Sequence, residues 1–148
     1  MASEVLSAQH VLEFPYKRTV GPVIGRFLAA LKEGRLEGVK AADGRVLVPP
    51  QEYDPDTGEA VTGEFVEVGP GGVVTMWTWV PEPGARHPLA TPFAWALIKL
   101  DGADTALLHA VDAGSPDALS TGMRVQARFA EEPKGHINDV VFEPRGPE

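Results

Sequence analysis

The 148-residue sequence contains no cysteine. That single absence excludes a disulfide scaffold, a thiolate-ligated zinc and a cysteine nucleophile together. Long hydrophobic runs are missing as well. The two longest apolar-leaning stretches, 27–31 and 73–80, fall far short of the roughly 20 residues that span a bilayer. The first fourteen residues, MASEVLSAQHVLEF, lack a basic start and an apolar block, which argues against a secretory leader and makes the cytoplasm the expected location. Aromatic residues are few, at 7%, and acidic side chains outnumber basic ones, 21 to 13, giving a formal charge of −8. The 16 glycines and 14 prolines favour many turns over long helices, and so a mainly β chain.

One helix is nevertheless written clearly, over 21–33. Pro22 suits a first helical turn, Val20, Val23, Ile24, Phe27 and Leu31 recur on one face, and Gly34 stands where a left-handed cap is wanted. The lead-in, Phe14-Pro15-Tyr16-Lys17-Arg18, is aromatic and basic. From residue 15 to 35 five basic side chains (Lys17, Arg18, Arg26, Lys32, Arg35) face one acidic residue, Glu33. Next comes a ribbon-like stretch over 38–62. Asp43-Gly44 signals a hairpin turn, 45–48 a short strand ended by Pro49-Pro50, and 54–58 a second tight turn.

From residue 62 short strands follow at regular spacing: 64–68, 73–80, 93–100, 105–111, 123–130 and 140–142. Ser115-Pro116 reads as a cap and first residue of one helical turn. A helical turn after the fourth strand fits a five-stranded Greek-key barrel of the OB type, although the periodicity allows an SH3-like barrel equally. The organisation expected is an arm and helix over 1–36, a ribbon over 37–61 and an OB-fold domain over 62–148.

The runs FPYKRTVGPVIGRFLAALKEGRLEGVK, DGRVLVPPQEYDPDTGEA, TMWTWV, TPFAWALIKLDGADTALLHAV and GMRVQARF resemble a bacterial and archaeal family. Its members join an amino-terminal helix, a rubredoxin-like zinc ribbon and a carboxy-terminal OB fold, and they are tied to acyl-CoA metabolism. The resemblance covers about residues 14–143. It implies a non-catalytic accessory subunit of a thiolase-like enzyme, including lipid-transfer-protein-type thiolases and the retro-aldolase of steroid side-chain breakdown. Such a subunit supports its partner and helps retain the CoA thioester, so acyl-CoA is implied as a ligand shared with the partner. The family's ribbon carries two Cys-x-x-Cys pairs. Here the matching places are Lys40 and Asp43, then Asp54 and Thr57, none of them a soft ligand, so no metal and no cofactor of the chain's own is expected.

Two other functions compete. An OB barrel can bind single-stranded nucleic acid through aromatic platforms such as Trp77 and Trp79, but residues 61–148 hold 6 basic and 12 acidic side chains, the wrong balance for a phosphate backbone. A small enzyme needs a nucleophile and a base. His109 with Asp139, and Ser115 or Ser120, are the candidates, yet no GxSxG, HExxH, GxGxxG or Walker pattern occurs. The histidines His10, His87, His109 and His136 lie far from the ribbon, and Asp54, Asp56 and Glu59 lack the spacing of a calcium loop. The residues expected to meet CoA or a partner are Phe14, Tyr16, Lys17, Arg18, Arg26, Trp77, Trp79 and Trp95, with Phe93 beside them.

Overall fold

Helix α1 (Gly21–Lys32) carries Pro22 in its first turn and is closed by glycine, as expected. The computed structural model describes residues 3–146. Gly34 takes φ +73°, and the N–H groups of Gly34 and Arg35 donate to the carbonyls of Leu31 and Ala30, so the last orphan acceptors are satisfied. Phe27, Ala30 and Leu31 form the buried stripe.

The ribbon region is a small antiparallel sheet of β1 (Leu36–Lys40), β2 (Val46–Leu47) and β3 (Phe65–Val68), in the order β2-β1-β3. The strand expected to begin the barrel near residue 64 pairs instead with β1, Val39 opposite Phe65 and Leu36 opposite Val68. The central strand itself was not expected, because Glu37 and Gly38 interrupt its apolar alternation. Gly38 is there for close approach: a Cβ would come 2.5 Å from a Val46 methyl and 3.0 Å from the Leu47 carbonyl. The expected strand 45–48 is only two residues long, because Val48 turns to the barrel.

Thr105, expected to open a strand, forms with Asp104 the seam between sheet and barrel. Asp104 accepts from the Val46 N–H at 2.8 Å, and the Thr105 hydroxyl exchanges hydrogen bonds with both backbone groups of Val48, at 2.7 and 3.0 Å. The barrel comprises β4 (Gly71–Val80), β5 (Phe93–Leu100), β6 (Leu107–Val111), β7 (Arg124–Phe129) and β8 (Val140–Pro144). It closes in the order β4-β5-β6-β8-β7, with β6 and β8 the parallel pair. A 3-10 turn, Pro116–Ala118, lies between β6 and β7 and is capped by Ser115. That connectivity is the OB fold and decides against the SH3-like alternative.

Strand β4 changes phase once. Its register shifts between Val74 and Met76, so Val74 faces Ile98 in the core while Met76 and Thr78 lie opposite Leu97 and Trp95 on the outer face. After the shift Trp77 and Trp79 pair with Ala96 and Ala94, and these alanines leave room for the indoles over the core. One buried cluster joins all parts: Phe27 and Leu31 of the helix, Leu36, Val46, Val48 and Val68 of the sheet region, and Val74, Ile98, Leu100, Val125 and Phe142 of the barrel.

Candidate functional site

Residues 3–20 form an arm with no helix or strand, and every one of them is exposed. Val5, Leu6, Val11, Leu12, Phe14 and Tyr16 are among the most exposed large apolar residues of the molecule, with Phe14 at 79% and Tyr16 at 69%. Lys17 and Arg18 follow, also exposed. Four of the expected contact residues therefore lie together on this arm: Phe14, Tyr16, Lys17 and Arg18.

Arg26 belongs elsewhere. Its Nε donates to Glu37 at 3.0 Å, and its guanidinium lies over the Phe65 ring, so it ties α1 to β1 and β3. Arg35 adds a second donor to Glu37 at 2.7 Å. Burial pushes the Glu37 carboxyl up, but the two guanidinium bonds outweigh it and hold the group below the usual glutamate range. No sequence pattern marks this pairing, because Arg26 and Glu37 sit on different elements.

Two of the three expected tryptophans, Trp77 and Trp95, border one groove, and Trp79 is not among its lining residues. Trp77 and Trp79 are half-buried and pack against the core, whereas Trp95 stands on the outer face. Trp95 meets Phe93 edge-on at 5.3 Å, and His87 caps Phe93 at 5.5 Å. On that outer face Met76, Trp77, Thr78, Trp95, Leu97 and Leu108 border an open apolar groove of about 320 Å3. A second hollow, of about 510 Å3, shares Thr78, Trp95 and Leu108 and extends the groove towards Ile137 and Asn138.

The four ribbon positions do not fit a tetrahedral zinc. The Lys40 ammonium is bound to Glu64 at 2.6 Å, and the Thr57 hydroxyl accepts from the Glu59 N–H. Asp43 and Asp54 are both taken by Arg45, which holds Asp56 as well. Among the described residues no cluster of three or more histidines or carboxylates is placed to hold a metal ion.

The candidate catalytic pair is not formed. The His109 Nε2 lies 2.6 Å from the Val140 carbonyl, within an edge-on contact to Phe142. Burial pushes its pKa down, with the Val140 and Leu108 backbone groups pulling the other way. Asp139 spends its carboxylate on the N–H groups of Lys134, Gly135 and His136, which closes a 3-10 turn, Ile137–Asp139, that the sequence did not announce. Ser115 is used as the cap described above. The barrel arginines are paired too: Arg124 grips Asp101 with both nitrogens, and Arg128 bridges Asp112 and Glu143. Residues 61–148 hold twice as many acidic as basic side chains, whereas an electrostatic path for single-stranded nucleic acid needs an excess of cations.

The family model for the ChsH2 C-terminal OB-fold domain matches residues 65–130. A Pyrococcus furiosus protein described as a DUF35 domain-containing scaffold protein is 32% identical over 92 residues, which are 62% of this chain and 66% of that protein. The match thus spans just under two thirds of that relative. Two solved structures share the fold. An Ltp2-ChsH2(DUF35) aldolase chain superposes with a TM-score of 0.64 at 22% identity, over 86% of this chain and 98% of that one. A DUF35-family protein of unknown function from Sulfolobus solfataricus gives 0.61 at 20% identity, over 85% of each chain.

Proposed function

Because the chain is similar to the DUF35 family in sequence and its barrel is an OB fold, we propose that it is a non-catalytic accessory partner of a thiolase-like or retro-aldolase enzyme acting on acyl-CoA. The observation that carries this reading is the arm. Val5, Leu6, Val11, Leu12, Phe14 and Tyr16 all stay more than half exposed, and apolar surface of that extent is kept where another molecule covers it. Aromatic residues beside an arginine have the composition of an interface centre.

Further support comes from the scaffold description of the Pyrococcus relative and from the resemblance carried by the sequence motifs. In this reading Phe14 and Tyr16 anchor the partner. Lys17 and Arg18 meet either an acidic partner surface or the phosphates of CoA, for which the arginine fork is suited. The outer face around Trp95 is the second contact, and CoA is held between the two proteins.

The test is size-exclusion chromatography with the thiolase-like enzyme encoded nearest to this gene. The expected result is co-elution with the full chain, weakened by Arg18→Glu and lost on removal of residues 1–18, with thermal midpoints unchanged in both variants. A full chain that elutes alone and leaves the enzyme's activity and solubility unaltered overturns the proposal.

A further inference from the structure

The stretch between Pro49 and Val61 is held within itself by turn hydrogen bonds, with little apolar packing beneath it. One isolated bridge joins Tyr53 to Ala60, and the nearby apolar cluster is only Val39, Ala41 and Leu47, with Val61 and Phe65 packed on it. Yet the stretch carries a carboxylate, that of Asp54, at only 4% side-chain exposure. A buried carboxylate is costly unless a cation and hydrogen bonds compensate it. The cation comes from one residue of the other turn.

Arg45 spends three nitrogens on three carboxylates. Its Nε donates to Asp43 at 2.7 Å, one terminal nitrogen to Asp56 at 2.8 Å and the other to Asp54 at 2.5 Å. The carboxylates are tied in turn to the backbone they organise. Asp43 accepts from the Arg45 N–H at 3.0 Å, and Asp54 accepts from the Asp56 N–H at 2.9 Å. Both turns are thus fixed to the same planar cation. Its hydrogen bond pulls the Asp43 carboxyl below the usual aspartate range, and the arginine is shifted up in return.

We propose that the Arg45 guanidinium is the structural centre of the ribbon, joining the 41–45 and 54–58 turns as a bound metal ion would. The positive charge sits between the two turns, where an ion would have to enter, so the site resists metal instead of recruiting it. A lysine cannot take the same place, because a single ammonium lacks the fork that reaches three carboxylates lying in different directions. The inference concerns how the ribbon is held, and it stands whether or not the accessory role is right.

Amide hydrogen exchange on the full chain tests it. The reporters are the Asp54, Asp56 and Gly58 amides, whose acceptors are the Glu59 carbonyl, the Asp54 carboxylate and the Asp54 carbonyl. In Arg45→Met these three amides are expected to exchange at least about tenfold faster, while those of Ala96 and Ile98 in the barrel keep their rates. Excess EDTA is expected to leave the wild-type rates unchanged. Should Arg45→Met not fold, Arg45→Lys, which keeps the charge and loses the fork, is expected to raise exchange at the same amides. Wild-type protection in a folded Arg45→Met or in Arg45→Lys, or loss of protection in the wild type on chelation, overturns the assignment.

Discussion

The guanidinium of Arg26 lies 4.3 Å from the centre of the Phe65 ring, where it closes the gap between the amino-terminal helix and the far edge of the three-stranded sheet. The same side chain reaches Glu37. A residue that its sequence context offers as a phosphate contact is therefore engaged twice within its own fold.

Replacing Glu37 by glutamine tests that engagement. The folded carboxyl lies below its usual value of 4.5, so its stabilisation is complete above that pH and is lost as the pH falls through the depressed value. Glu37→Gln should cost about 1.5–3 kcal/mol at pH 7, the range for hydrogen bonds to charged groups. Urea titrations at a series of pH values should show the gap to the wild type closing below pH 4.5. A constant gap across that range contradicts the assignment.

Protonation of His109 should act in the opposite chemical sense with the same direction in pH. Its imidazole is buried and held below the ordinary 6.5, so the unfolded chain takes up the proton first. Stability is full above about pH 6.5 and declines below it. The thermal midpoint of the wild type should fall between pH 7 and 5.5. In His109→Gln, which keeps a donor for the Val140 carbonyl, part of that fall should vanish. Equal slopes in the two proteins would rule the histidine out as the cause.

Gly72 is set by proximity. An added Cβ would stand 2.8 Å from the Lys99 carbonyl oxygen and 3.1 Å from the Leu100 Cα, both backbone atoms of the neighbouring strand. Neither can swing aside as a side-chain end can. Gly72→Ala should cost about 1–3 kcal/mol, the usual scale of overpacking, readable as a lower urea midpoint at unchanged slope. A neutral substitution means that β4 and β5 can separate freely at this point.

Trp79 and Trp95 should separate packing from surface. Trp79 packs on the main core and Trp95 faces outward. Trp79→Ala should cost a few kcal/mol, towards the lower end of the roughly 3–5 kcal/mol of fully buried aromatics. Trp95→Ala should cost clearly less. Thermal denaturation of the two variants decides it, and the reverse order would place the barrel's inner face on the other side of the strand.

The helix, β5 and the Ser115 cap were legible because each is written in local chemistry: a 3.6-residue period with Pro22 and Gly34, a β-rich run, a serine before a proline. The OB connectivity was one of two open choices, since strand spacing does not encode which strands close the barrel. Strand β1 was illegible because its two unusual residues answer to distant partners, Glu37 to Arg26 and Gly38 to the Val46 side chain. The tryptophans show a related difficulty. Strict alternation puts Val74, Met76 and Thr78 on one face, but the irregularity at residue 75 reverses the phase within the strand. The basic and aromatic character of the arm is plain in its residues, whereas the exposure of the apolar residues before Phe14 is not, because nothing in a sequence says that a leucine will find no core.

The shared core bears on how such a chain can change over generations. Leu36, Val46, Val48 and Val68 fill space beside Ile98 and Leu100, so the three-stranded sheet is the floor of the barrel's interior and not a detachable module. Excising it would open the barrel to water. Selection can therefore alter freely what fastens the two turns at the sheet's outer end, but it must retain the sheet, and a ribbon outlasts the particular chemistry that ties its loops.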